Sequence, residues 1–169
     1  IDTINSESSS VLTSPVKRLM SLSFTVGGTE DAKRVTKPEY VLSSFEGLTT
    51  SHTGRYCNEE IDVVHFNVIV IVSAKSVLPF MQELCRAKSH KFRGFSGIEE
   101  EQTFIHNQIT ILESQIGPVD RKDRSHQLYR YGDDAAVVEL ELTCEYIFVK
   151  SGYDEIKPES VKLSTKPLE

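Results

Sequence analysis

An apolar run at residues 63–72 gives way within a few residues to a pattern of a different period, and this change constrains the fold more than any other feature of the sequence. Through the run, β-branched residues and phenylalanine recur at every second position, which predicts a β-strand with one face in the core. From residue 77 to residue 88 the apolar residues follow helical spacing, and Ser73 or Ser76 precedes them as a candidate N-cap. The sequence therefore predicts a strand that leads directly into a helix.

The cleanest alternation in the chain occupies residues 138–148. Apolar residues at the even positions alternate with Glu139, Glu141 and Glu145, which predicts a strand with one buried face and one solvated, acidic face. Weaker patterns predict a strand at residues 16–26, a short helix at 36–47, and strands at 91–97 and 104–115.

These elements predict an α+β fold built as a ferredoxin-like sandwich, in the usual or a permuted strand order. The sheet is expected to be mixed or antiparallel, with the helices on one face. The chain has 169 residues, which suits a single domain; we place it at residues 16–150, with the best-supported core at residues 61–149.

The two ends of the chain carry weaker patterns. Residues 1–15 are rich in serine and predict a flexible lead-in. Residues 151–169 predict an extended tail in which Tyr153 and Ile156 fold back, and the final Leu168-Glu169 is typical of a vector-derived junction. We therefore expect an excised piece of a longer protein.

The charge balance excludes two classes of partner. There are 25 acidic and 19 basic residues, for a net charge of −6, whereas nucleic-acid and anionic-membrane surfaces both require clustered positive charge. No segment reaches the roughly 18–20 apolar residues of a bilayer span. Membrane attachment is expected only through an anchor outside this sequence.

Signatures of catalysis and of metal or cofactor binding are not found in the sequence. It contains no P-loop, GxGxxG or HExxH motif, and its five histidines are scattered over strand surfaces and loops. Cys57, Cys85 and Cys144 lie far apart, and we expect Cys85 and Cys144 to be small core residues. We predict no catalytic residue, no cofactor and no metal.

Two features predict a partner interface instead. Ile69 and Ile71 belong to the strand predicted at residues 63–72 and lie on the face opposite its core face. There they require a second layer, formed by the N-terminal third of the chain or by another copy. The second feature is the segment 117–135, which has no periodicity and is long for a connection. Its arginines and tyrosines are of the residue types enriched at interaction hot spots: Arg124, Tyr129, Arg130 and Tyr131. A mobile surface hairpin is the alternative for this segment.

A family resemblance covers residues 61–149. The run HFNVIVIVSAKSVLPFMQELCRAK, followed by two strands and then VVELELTCEYIFVK, resembles the periplasmic domain of PilO proteins of type IV pilus machines and of the related GspM secretion proteins. The matching positions are Phe66-Asn67-Val68 and then Ser76 to Phe80 and Leu84. The longer segment 117–135 and the tail depart from the family pattern.

The resemblance implies a ferredoxin-like fold, preceded in the parent protein by a transmembrane helix and a coiled coil, and a dimerising scaffold without catalytic residues. The expected partners are a second copy and other pilus inner-membrane components, on the periplasmic side of the bacterial cytoplasmic membrane. Two alternatives stay open: a small-molecule sensing domain of ACT-like type, supported by Gly94 and Gly97, and a small enzyme that uses residues 117–135.

Overall fold

Six strands, four short α-helices and one 3₁₀ turn make up the part of the chain that the computed structural model describes, namely residues 1–24, 40–41, 53–93, 97–106, 108–127, 129, 131–132, 136–153 and 159. The strands are β1 (Val16–Phe24), β2 (Ile61–Ser73), β3 (Lys88–Phe92), β4 (Gln102–His106), β5 (Ile109–Pro118) and β6 (Val137–Val149). The helices are α1 (Asp2–Asn5), α2 (Val77–Cys85), α3 (Arg124–Gln127) and α4 (Lys150–Tyr153), and the 3₁₀ turn is Ala74–Ser76.

Four of the strands form one antiparallel sheet in the order β1-β2-β6-β5, and β3 and β4 form a separate antiparallel pair. β2 and β6 pair along all 13 residues of each strand. The predicted α+β class is therefore confirmed, and of the two predicted sheet types the antiparallel one is correct.

The connection from β2 to β5 gives the sheet its topology. Both strands are antiparallel to β6, which lies between them, so β2 and β5 run parallel to each other. α2 and the β3–β4 pair lie in the chain between these two parallel strands. The arrangement is a split β-α-β unit, with β1 added at the outer side of β2.

The core lies between the sheet and α2, as the two periodicities predict. The even-numbered positions of β2 and β6 face this core, and Val70, Val72 and Leu140 are fully buried in it. Burial of each such side chain contributes about 1.5–3 kcal/mol. Ile4 of α1 packs against the same core, so α1 and α2 share one face of the sheet. The prediction that all helices lie on one face is wrong for α3, because its residue His126 lies beside Glu139 on the other face of the sheet.

α2 is shorter than predicted and ends at Cys85. Arg86 adopts an extended conformation, and the ammonium group of Lys88 donates a hydrogen bond of 2.6 Å to the carbonyl of Glu83 in the last turn. Ser76 occupies the predicted N-cap position, although its side chain makes no capping hydrogen bond. The next strand therefore begins at Lys88 rather than at residue 91, and residues 94–96 of that prediction lie outside the described residues.

Two other predicted elements differ from the structure. Residues 104–115 were predicted as one strand, but they belong to β4 and β5, which lie in different sheets. The helix predicted at residues 36–47 is wrong at Tyr40 and Val41, because Tyr40 forms an antiparallel bridge with Val64 and the Val41 N–H donates to the Val63 carbonyl. The rest of that predicted helix lies outside the described residues.

The serine-rich N-terminal segment is attached to the sheet. Asn5 at the end of α1 donates from Nδ2 to the carbonyl of Val16 and accepts from the Val16 N–H, at 2.9 and 3.0 Å. The Lys17 ammonium donates to the carbonyls of Val11 and Leu12. These contacts fix the position at which β1 begins.

Candidate functional site

A charged cluster centred on a buried carboxylate lies on the face of the sheet that points away from α2. Glu145 is fully buried, and its two oxygens accept hydrogen bonds of 2.7 Å from Thr53 Oγ1 and from Arg55 Nη1. Nε2 of His65, which is also buried, lies 3.6 Å from the same carboxylate. The predictions of a solvated Glu145 and of a strand-surface His65 are therefore wrong, because the segment that carries Thr53 and Arg55 folds over this end of the face.

The other two glutamates of the stripe have different surroundings. Glu141 is half-buried and accepts a hydrogen bond of 2.9 Å from Asn67 Nδ2, whereas the side chain of Glu139 is 38% exposed. The three carboxylates thus pass from buried to exposed along β6. This gradient was absent from the sequence interpretation, which placed all three in water.

Residues from the segment 117–135 lie across the opposite end of the same face. Arg18 of β1 donates from Nη1 to the carbonyl of Ser125 at 2.5 Å, and its guanidinium stacks on the ring of Tyr129, 3.9 Å from the ring centre. His126 is buried, with Nδ1 at 3.0 Å from the Tyr131 hydroxyl and Nε2 at 3.9 Å from a Glu139 oxygen. These contacts hold the described part of the segment against the sheet.

This placement explains how Ile71 is covered. Arg18 and Glu139 are the neighbours of Ile71 on the adjacent strands, and both are contacted by residues 125–129. Ile71 is fully buried and Ile69 is partly buried. Residues of the segment 117–135 therefore lie over the neighbours of Ile71, where the sequence analysis expected the N-terminal third or a second copy.

The predicted interface residues do not form one surface. Arg124 is exposed in α3, Tyr129 is half-exposed, and Tyr131 is buried against His126 and Tyr129. Arg130 lies outside the described residues. The proposal that these residues bind a partner stays a prediction; of the predicted interface residues that the structure describes in this segment, Arg124 and Tyr129 present a side chain to solvent.

A second buried carboxylate lies at the start of β2. Asp62 is fully buried, accepts a hydrogen bond from the Tyr153 hydroxyl, and lies 3.5 Å from the ammonium group of Lys150. The Tyr153 ring also packs on Phe148, with ring centres 4.9 Å apart. The prediction that Tyr153 folds back onto the domain is confirmed, while Ile156 lies outside the described residues.

A half-open cavity of about 350 Å³ adjoins the Glu145 cluster. It is lined by three threonines, two aliphatic residues and one carboxylate: Thr53, Thr110, Thr143, Ile111, Leu112 and Glu113. Within the described ranges, no group of three or more His, Cys, Asp or Glu side chains could hold a metal ion. The hydroxyls and the carboxylate can accept hydrogen bonds from a small solute, but they do not define a reaction.

All three cysteines are free thiols. Cys144 is fully buried in the core, as predicted, and Cys85 is half-buried on α2. Burial raises the pKa of Cys144 to about 12 and that of Cys57 to about 11, from an ordinary value of 9.0. These two groups therefore remain neutral thiols at physiological pH, and neither is an activated nucleophile.

The raised thiol pKa values predict how stability depends on pH. Above pH 9 the thiols of the unfolded chain lose their protons, whereas Cys57 and Cys144 keep theirs in the folded state up to about pH 11 and about pH 12. The unfolded state is then favoured, so the free energy of unfolding is expected to fall as the pH rises from 9 towards 11. Burial also raises the pKa of Tyr40 and Tyr146, which acts in the same direction.

Urea denaturation at a series of pH values measures this effect. A Cys85→Ser variant keeps both buried thiols, so its free energy of unfolding should also fall over this range. A free energy of unfolding that stays constant or increases between pH 9 and pH 11 would contradict the assignment.

The outer edge of the sheet at β1 carries three exposed apolar side chains. Leu22 is 61% exposed, Leu19 48% and Phe24 37%. Leu22 and Phe24 lie opposite Val68 and Phe66, so they belong to the face that α2 covers elsewhere. α2 packs towards β5 at the other side of the sheet, which leaves these side chains in contact with solvent.

Comparison with known proteins gives no relative, since no protein-family model, no curated protein and no solved structure matches the chain. None of the described helices has the length and apolar character needed to cross a bilayer.

The sequence interpretation missed both the charged cluster and the β1 edge. Glu145 and His65 lie opposite each other on paired strands, a relation that becomes visible only when the register of β2 and β6 is known. The β1 edge did carry a signal, because no residue from Leu19 to Phe24 is charged. Its position at the border of the sheet could not be read from that signal.

Proposed function

We propose that this chain is a non-enzymatic assembly domain of a type IV pilus-like machine, which acts by pairing with a second copy and by docking other inner-membrane components. The observation that carries the proposal is the split β-α-β unit of β2, α2 and β5 around β6, with β1 beside β2. A split unit of this kind is half of a ferredoxin-like fold. We infer a permuted ferredoxin-like sandwich, in which β1 takes the place of the last strand.

The resemblance of residues 61–149 to PilO and GspM periplasmic domains supports the same function, because the family it points to is a dimerising scaffold. In this proposal the parent protein is anchored in the bacterial cytoplasmic membrane, and the present domain faces the periplasm. Three features are compatible with that fold: the sheet is antiparallel, β1 lies beside β2, and a helix follows β2.

The state of the polar groups also favours a structural role. The Glu145 carboxylate is fully buried and its oxygens are hydrogen-bonded to Thr53 and Arg55. Asp62 is in contact with Tyr153 and Lys150. Groups held in this way fix loops and chain ends onto the sheet, which suits a rigid platform for partner chains.

Sedimentation velocity of the wild type tests the proposal. From about 1 to about 500 µM, the mass is expected to rise from the 19.0 kDa of one chain towards twice that value, because the proposed scaffold acts as a pair of copies. Two copies with a net charge of −6 each repel one another, so the dimer should become more populated as salt screens this repulsion. A sample that remains monomeric at the highest concentration and at both high and low salt would refute pairing.

A further inference from the structure

We propose that two copies of this chain pair edge to edge through β1, so that their antiparallel sheets join into one continuous sheet across a two-fold axis at Leu22 or Ser23. The inference rests on the proposed function, since it names the surface by which the assembly domain pairs. It follows from the exposure, the charge and the side-chain pattern of the β1 edge.

The edge strands of the sheet differ in how they are protected. Edge strands usually carry charged residues or proline, which prevent other chains from adding a strand. β5, at one border, carries Glu113 and ends at Pro118. β1, at the other border, has no charged residue and no proline between Leu19 and Phe24. Of the two borders that the described strands form, the β1 border therefore lacks this protection.

The basic residues at the start of β1 do not protect its edge against the addition of another strand. The Lys17 ammonium is bound to the carbonyls of Val11 and Leu12, and the Arg18 guanidinium is held by Ser125 and Tyr129. Both side chains are thus directed into their own chain. At the other end of the strand, beyond Phe24, Tyr40 takes the position beside β2.

The pairable stretch is short and regular. Irregularities of register occur between Val16 and Arg18 and between Leu19 and Ser21, whereas residues 21–24 pair with β2 without interruption. A bulged strand bends, so an added strand is expected to pair with the regular stretch. The two-fold axis is placed at the centre of that stretch.

The occupant best suited to this edge is a second β1. Ser21 and Ser23 lie on one face of the strand, opposite Ile69 and Asn67 of β2, and Leu22 and Phe24 lie on the other. In an antiparallel pair, residues directly opposite each other lie on the same face. Two β1 strands in step therefore match apolar with apolar side chains and serine with serine, and no like charges meet. The pattern is its own complement, as a two-fold interface requires.

The size of the contact predicts its strength. A strand of this length and its side chains bury less than the roughly 1,200 Å² of a standard stable interface. The dimer should therefore be reversible, and a single charged residue at its centre should abolish it. Leu22 is the residue to change, because its exposure of 61% makes the substitution harmless to the fold.

The first experiment compares Leu22→Lys with Ile116→Lys by sedimentation velocity. Ile116 lies on the opposite edge strand and is 58% exposed, so the control adds the same charge to an equally exposed position. Leu22→Lys is expected to raise the dissociation constant of the dimer at least about tenfold, and Ile116→Lys to leave it within about twofold of the wild type. Both variants should keep the thermal midpoint of the wild-type protein.

The second experiment locates the axis by cross-linking in a Cys85→Ser background. An axis at Leu22 places two copies of that residue opposite each other, so Leu22→Cys should form a disulfide dimer on mild oxidation; an axis at Ser23 predicts the same for Ser23→Cys. Ser114→Cys on β5, also exposed, is the control and should remain monomeric.

The outcomes separate this inference from the proposed function. A wild type that never dimerises refutes both. If Leu22→Lys dimerises with the same dissociation constant as the wild type, pairing through β1 is wrong. Pairing through β1 is also wrong if the protein dimerises but neither Leu22→Cys nor Ser23→Cys forms a cross-link. Both results leave the proposed assembly function unaffected. Loss of dimer in Leu22→Lys alone, with a cross-link at one of the two positions, supports the pairing.

Discussion

Replacement of Ile71 by aspartate is expected to unfold the protein at 25 °C. Ile71 is fully buried, and the change both removes an apolar side chain from the interior and places a carboxyl group there. Loss of a buried isoleucine costs about 2–5 kcal/mol, and burial of an unpaired charge costs several kcal/mol more. Together these terms approach the total stability of a typical domain, which is about 5–15 kcal/mol.

Circular dichroism and thermal melting measure this effect, and Ile69→Asp is the matched control. Ile69 is on the same face of β2 but is only partly buried, so the carboxylate introduced by Ile69→Asp can reach water. The free energy of unfolding should then fall by about 1–2 kcal/mol. A folded Ile71→Asp protein whose melting temperature equals that of Ile69→Asp would show that residues 125–129 do not cover Ile71. The comparison also matters for binding studies, since an Ile71 variant that fails to bind a partner would have failed to fold.

Replacement of Glu145 by alanine should have the second-largest effect, a loss of about 1.5–3 kcal/mol in the free energy of unfolding. The carboxylate is fully buried and is the shared partner of Thr53, Arg55 and His65. Its removal takes away two charge-assisted hydrogen bonds and leaves a cavity beside the buried His65, whereas Arg55, which is 44% exposed, can be solvated by water. The segment that carries Thr53 and Arg55 also loses its attachment to the sheet.

Denaturant unfolding of Glu145→Ala, Glu145→Gln and Glu141→Ala tests this interpretation. Glutamine keeps the shape and one acceptor oxygen, so its loss should be smaller than that of alanine. Glu141 belongs to the same strand face and accepts from Asn67, but it is only half-buried, so its replacement should cost about 1 kcal/mol. Equal losses at positions 141 and 145 would mean that the cluster contributes no more than the half-buried hydrogen bond between Asn67 and Glu141.

Local periodicity predicted the elements that depend on neighbouring residues. β2, α2 and β6 were predicted because a strand alternates every second residue and a helix every three or four, and both patterns are set within one short stretch. The same method failed between β4 and β5. Ile105 and Ile109 have the same parity, so the alternation continues through the break between them and hides the change from one sheet to another.

Burial of the second sheet face was not predictable in this way. Alternation shows on which side of a strand a residue lies, but it does not show what lies over that side. Glu145 is covered by a segment about ninety positions away in the sequence, and Ile71 by one more than fifty positions away. For the same reason the sequence left open what lies over Ile69 and Ile71, and their role in a partner interface stays a prediction.

By itself, the sequence determined the strands and the helix of the core, the α+β class and the side of each strand that faces α2, because these follow from the spacing of apolar residues along the chain. Only the tertiary structure decided which glutamate is buried, which isoleucine is covered, and which strand is left at the border of the sheet with apolar residues exposed. Those properties depend on contacts between distant segments, and hydrophobic spacing within one segment carries no information about them.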